Sequence, residues 1–168
     1  GGPVDLVVGD LSFISLRLLL APLVSVTDPD GDLVLMVKPQ FEVGKDRVGK
    51  GGVVRDLALH VESVLGVVEE AAGLGWGVRA VTTSPLPGPS GNVEFFVWLR
   101  RGAAVAEGEA LTRLVTEEVE RGPGASAVSG RSSACASEVT ASAVSAPDSG
   151  IGAPPWAGAA GASAGRVL

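Results

Sequence analysis

The segment LVLMVKPQ, residues 33–40, limits the possible folds more than any other stretch of this chain. Five apolar residues without polar alternation describe a strand buried on both faces, as in a parallel sheet covered by helices. Pro39 ends the strand, because proline lacks a ladder donor and holds its predecessor extended. Lys38 therefore occupies the last strand position, where a charge beside a buried sheet is costly unless partners meet it. The residue types at that position point to chemistry.

The flanking sequence supplies what a parallel sheet needs. VDLVVGD (4–10) reads as a first interior strand. ISLRLLLAPLVSV (14–26) reads as an apolar helix, with Ser12 as its cap and Pro22 as a kink or stop. DPDGD (28–32) is a turn before the strand at 33–38. Asp56 caps a helix running to about Ala72, with Leu57, Val61, Val64, Leu65, Val68 and Ala72 on one face, and GLG (73–75) closes it. A third strand at 77–86, the rigid turn PGPSGN and a fourth strand at 93–100 follow. Strands alternating with helices indicate a doubly wound α/β sheet, and the last two strands, joined without a helix, are expected to be antiparallel. Residues 108–122 suit a helix that docks on the sheet or ends freely, with Leu111, Leu114, Val115 and Val119 on one face.

Beyond Gly122 the chain is built of Ala, Ser, Gly and Pro with scattered Val. Such side chains bury too little apolar area to offset the entropy of ordering the backbone, so residues 123–168 read as a disordered tail after an ordered domain at 1–101. Cys135 is the only cysteine, which excludes a disulfide framework within the chain and a cysteine metal cluster. No metal is expected, and the setting implied is reducing and cytoplasmic. The apolar run LLLAPLVSV (18–26) is far short of the ~20 residues of a membrane span, so no membrane partner is expected.

The net charge of −6 argues against nonspecific nucleic-acid binding by the whole chain. Locally the balance reverses, since Lys38 to Arg55 holds five basic and two acidic residues. Within it, Lys45, Arg47, Lys50 and Arg55 are spaced by glycines, a pattern suited to contacting RNA phosphates at the mouth of a site. No GK[ST] sequence is present, so this is not a nucleotide-binding P-loop. His60 falls on the less apolar side of its helix and reads as a surface residue, whereas Trp76 and Trp98 read as packing residues; Trp156 has no assigned role.

In an open α/β sheet, sites lie outside the carboxyl ends of the parallel strands. Asp10 ends the first strand and Lys38 the second, while Glu94 starts the antiparallel last strand, whose beginning lies at the same edge. An acid, a base and an acid are thus expected at one rim.

The segments DLVVGDLSFISL, LVLMVKPQFEVGKDRVGKGGVVRD and SPLPGPSGNVEFFVWL resemble the later motifs of the TlyA-type ribosomal RNA 2′-O-methyltransferases, FtsJ-like enzymes also called haemolysin A. The resemblance covers Pro3 to Arg101 and leaves the tail without a counterpart. It implies the second half of a Rossmann-like methyltransferase sheet, S-adenosylmethionine as cofactor and ribosomal RNA or a ribosomal subunit as partner. The family's Lys-Asp-Lys-Glu tetrad maps its Asp onto Asp10, its second Lys onto Lys38 and its Glu onto Glu94. The first Lys, the glycine-rich cofactor loop and the S4-like RNA-binding module have no position here, so the chain is expected to be the later part of an enzyme and inactive alone. By the same carry-over Asp10, Leu11 and Phe13 face the cofactor, and Ser90 joins the RNA-binding residues and positions Glu94.

Methylating a ribose hydroxyl requires in-line attack by a poor oxygen nucleophile, with stabilisation of the charge left as the hydroxyl loses its proton. Burial disfavours a charged Lys38, but two adjacent carboxylates favour it, and the ammonium is the form expected. The Asp/Asn-Pro-Pro-aromatic motif of amino-group methyltransferases is absent, since DLSF stands in its place. A catalytically inactive interaction module and a haemolysin-like non-enzymatic protein are the alternatives from another class.

Overall fold

A computed structural model of the chain describes residues 2–103, 108–122 and 142–143. Cys135 and Trp156 lie outside the described residues. A mixed sheet forms from β1 (Val4–Gly9), β2 (Thr27–Val37), β3 (Trp76–Thr83), β4 (Phe95–Arg101) and the two-residue β5 (Ser142–Ala143), in the order β1-β2-β4-β3-β5. Among the described residues only β1 and β2 are a parallel pair; β4 runs antiparallel between β2 and β3. The expected antiparallel last strand is thus observed, inserted between two strands of common direction. β5 pairs with β3 at Ala80 and Val81, so at these two positions the tail, expected to be unstructured, adds to the sheet. The free ladder groups on that side of β3 give a short stretch of small residues something to pair with.

The helices are α1 (Leu20–Val26), α2 (Pro39–Glu42), α3 (Leu57–Gly73) and α4 (Gly108–Arg121), with 3₁₀ turns at Leu16–Leu18 and Lys45–Arg47. Pro22 does not stop α1, because it sits in the first turn, where its missing N–H has no helical partner to lose. Ser15, not Ser12, caps this region, its side chain accepting from the Arg17 N–H. Asp56 caps α3 as expected by accepting from the Ala58 N–H at 2.9 Å.

Leu33, Leu35 and Val37 of β2 alternate with half-buried Val34 and Met36, so the strand is fully buried on one face only. On that face Phe95, Val97 and Leu99 of β4 meet Val64 and Val68 of α3, and Leu111, Val115 and Val119 of α4 join the same core. Each such apolar side chain contributes about 1.5–3 kcal/mol by leaving water. The segment at 108–122 therefore docks. The buried stripe of α3 runs through His60, Ser63, Val64, Val67, Val68 and Ala71, rotated from the expected face. Both tryptophans pack as expected, Trp76 at 1% and Trp98 at 8% exposure.

The expected turn at 28–32 lies within β2 as an irregularity of the ladder. Val4 pairs with Thr27 and Leu6 with Asp32, so the residues between bulge outward, fastened by the Asp30 N–H to Asp28 Oδ1 bond at 2.9 Å. Gly31 permits this, since a Cβ there would approach the Asp5 carbonyl oxygen to 2.8 Å.

Candidate active site

Lys38 and Glu94 flank the last ladder pair between β2 and β4, Val37 with Phe95, so antiparallel register brings them face to face just past the sheet. Asp10 follows the end of β1, whose Gly9 pairs with Leu35. The expected convergence on one rim is present: Lys38 Nζ lies 2.5 Å from Asp10 Oδ1 and 4.0 Å from Glu94 Oε1. Lys38 and Glu94 are buried, while the Asp10 side chain is 66% exposed. The Asp10 pair is therefore partly screened by water.

Ser12 belongs to this group. Its hydroxyl accepts from Lys38 Nζ at 3.2 Å, which replaces the expected capping role. An ammonium has three N–H donors. Asp10 and Ser12 take two, and Glu94 is too distant to take the third in a direct hydrogen bond.

Several residues hold Glu94 in place. The Ser84 N–H donates to its backbone carbonyl at 2.8 Å, and Gln40 Nε2 approaches its Oε1 at 3.4 Å. Gly88 lies so close that an added Cβ would stand 2.6 Å from Oε1. Ser90, expected to position Glu94, is exposed instead on the same turn. Gly88 was hidden in the sequence because PGPSGN reads only as turn chemistry.

α2 secures the segment that follows β1. Glu42 accepts from Ser15 Oγ at 2.6 Å and from the Leu16 N–H at 2.8 Å, fixing the segment that follows Phe13. Phe13 has φ of 66°, the one positive value outside glycine among the described residues, and is 91% exposed. For so bulky a residue this backbone conformation is strained by about 1–3 kcal/mol. Its ring leans on Phe41, centroids 5.3 Å apart, while Leu11 is half-buried.

The glycine-rich loop is held at two points. Asn92, 2% exposed, accepts from the Val54 N–H at 2.9 Å and donates to the Gly52 carbonyl at 2.8 Å. His60 is 2% exposed, a correction to its expected surface position: its Nε2 meets the Val54 carbonyl at 2.9 Å, and its ring packs on Phe95. Burial pushes the imidazole below its ordinary value near 6.5, against the opposing pull of the Val54 bond and Asp56. Sequence could not supply that carbonyl, which only the folded loop brings to the helix.

Among the loop cations, Lys45, Lys50 and Arg55 are exposed. Arg47 is engaged within the fold. Its guanidinium makes two 2.7 Å bonds to Glu62 and its Nε donates to the Val43 carbonyl at 2.8 Å. The same bonds hold the Glu62 carboxyl below its ordinary range. No helix among the described residues is long and apolar enough to cross a membrane.

Comparison with known proteins shows what the chain is similar to. Over 100 residues the chain is 61% identical to a 16S/23S rRNA (cytidine-2'-O)-methyltransferase, TlyA, of Mycobacterium tuberculosis, covering 60% of this chain and 37% of the relative. It is 32% identical over 92 residues to Hemolysin A of Brachyspira hyodysenteriae, covering 54% and 38%. The crystal structure of a protein named a hemolysin from Lactococcus lactis superposes with a TM-score of 0.61 at 36% identity, covering 70% of this chain and 57% of that one. The chain thus spans little more than a third of the curated relatives it matches. Residues 1–101 match the FtsJ-like methyltransferase family throughout, and the chain belongs to that family.

Proposed function

We propose that this chain carries the methyl-acceptor side of an S-adenosylmethionine-dependent ribose 2′-O-methyltransferase acting on ribosomal RNA. The observation that carries the reading is the 4.0 Å gap between Lys38 Nζ and Glu94 Oε1. A hydroxyl oxygen seated off the line between them reaches both at ordinary hydrogen-bond length, about 2.8 Å. Lys38 then donates to the ribose oxygen and stabilises the charge it acquires, while Glu94 accepts the hydroxyl hydrogen and takes the proton as the oxygen bonds to carbon. Asp10 and Ser12 fix the ammonium so that its third N–H points to the substrate.

S-adenosylmethionine, when bound, supplies a methyl group made electrophilic by a sulfonium. The residues present fit one side of such a ligand. Asp10 offers an exposed carboxylate suited to an ammonium, and Leu11 and Phe13 offer apolar walls. Lys45, Lys50 and Arg55 supply phosphate contacts that dock RNA without reading its sequence. The relatives named for ribosomal RNA support that substrate class.

The test is a chimaera in which this segment replaces the matching 100 residues of the Mycobacterium tuberculosis relative. The wild-type chimaera transfers methyl groups from labelled S-adenosylmethionine to ribosomal RNA. Lys38→Arg keeps the charge but displaces it, and activity falls about 100-fold. A folded wild-type chimaera without activity favours a non-catalytic module, and full activity of Lys38→Arg removes the role given to that residue.

A further inference from the structure

Gln40 stands two residues beyond Lys38, at the second position of α2. Its Nε2 reaches Glu94 Oε1 at 3.4 Å, a long contact, and its Oε1 is buried with no hydrogen-bond partner. Chemistry fixes which end of the amide faces Glu94, because an ionised carboxylate only accepts. The carbonyl is then left over. A buried acceptor without a donor costs about 1–3 kcal/mol, so the resting arrangement is poorly satisfied at both ends of the side chain. Such an amide turns cheaply. Since Oε1 has no exposed surface, a ligand meets it only when the amide moves.

We propose that Gln40 is a further substrate-contacting residue of this site, holding Glu94 through Nε2 before RNA binds and turning Oε1 to accept a donor of the bound nucleotide. This rests on the reading of the preceding section. It accounts for an unsatisfied group beside the candidate acid.

The experiment compares Gln40→Met and Gln40→Glu with wild type in the chimaera, by thermal unfolding and by methyl transfer. Met keeps length and volume but offers neither strong donor nor acceptor. The melting temperature is expected to stay level or rise, while kcat/KM for ribosomal RNA falls about tenfold, mostly through KM. Gln40→Glu provides the second readout. At low pH, where it shares one proton with Glu94, a protonated carboxyl donates and accepts as the amide does, so KM approaches wild type. As pH rises and both ionise, KM climbs. A merely structural glutamine gives the reverse pattern, namely a lower melting temperature for Gln40→Met and no pH-dependent recovery for Gln40→Glu. That pattern, or an unchanged KM in Gln40→Met, overturns the proposal. A folded wild-type chimaera without methyl transfer refutes the preceding section instead; Gln40 is then decided by melting alone, where a fall of several degrees in Gln40→Met overturns its role.

Discussion

Gly88→Ala tests the site through a single added methyl group. The new Cβ would stand 2.6 Å from Glu94 Oε1 and 3.1 Å from its Cδ, where ordinary contact begins at 3.4 Å. The backbone of Gly88 is pinned, its N–H donating to Asn92 and its carbonyl accepting from Gly91. The carboxylate therefore yields, by about 0.8 Å, and the distance to Lys38 grows from 4.0 Å to about 4.8 Å if the retreat is directly away from it. Electrostatics alone loses little, since the attraction at an effective dielectric of 20 changes from about 4 to about 3.5 kcal/mol. Geometry loses more, because a shift near 1 Å at a reacting centre costs about 100-fold in rate. Stability should barely change, as the lost room is partly offset by a stiffer unfolded chain. Gly91→Ala is the control on the same turn. Its φ of 85° strains any side chain by about 1–2 kcal/mol, yet nothing lies within 4 Å of its Cβ. Thermal unfolding and methyl transfer in the chimaera should separate the two, Gly88→Ala losing activity and Gly91→Ala losing several degrees of melting temperature. A Gly88→Ala chimaera with more than half the wild-type rate, or one as destabilised as Gly91→Ala, refutes the reasoning.

Three further outcomes are expected. His60 binds protons more readily unfolded than folded, so its contribution to stability is complete above pH 6.5 and lost as pH falls below it, with a slope up to about 1.4 kcal/mol per pH unit; chemical denaturation of His60→Gln from pH 7 to 5 should lack that component. Asn92→Ala strands the Val54 N–H and the Gly52 carbonyl, costing about 2–4 kcal/mol and loosening the loop in hydrogen exchange. Replacing Lys50 and Arg55 together by Ala should flatten the salt dependence of RNA affinity by about two units of log-log slope, whereas Arg47→Ala, whose charge is committed to Glu62, should leave it nearly unchanged.

What could be read in advance depended on how local its cause is. Pro39 announces the end of β2, and an antiparallel β4 places Glu94 beside Lys38. Ser12 reads as a cap because serine before an apolar run has that local use; only the folded rim supplies Lys38 as its partner. His60 reads as a surface residue because the buried stripe of α3 is not centred on its apolar residues. The fold admits a polar ring there by giving it the Val54 carbonyl and the face of Phe95. Arg47 looked equivalent to its neighbours in the loop until Glu62, a turn into α3, proved to hold it. Glycine, too, is ambiguous in sequence, since Gly88 and Gly91 share one turn but answer to a neighbour in one case and to backbone conformation in the other.

At the far side of the sheet, β1 has a ladder partner on one flank only among the described residues, and Val4, Leu6 and Val8 are exposed at 45%, 54% and 68%. An open row of amides and carbonyls beside three oily side chains is a template for another strand, whether of the same protein or of another chain. Concentrating the isolated segment should therefore drive it toward oligomers through that margin, and a charge at Val8 should keep it dispersed.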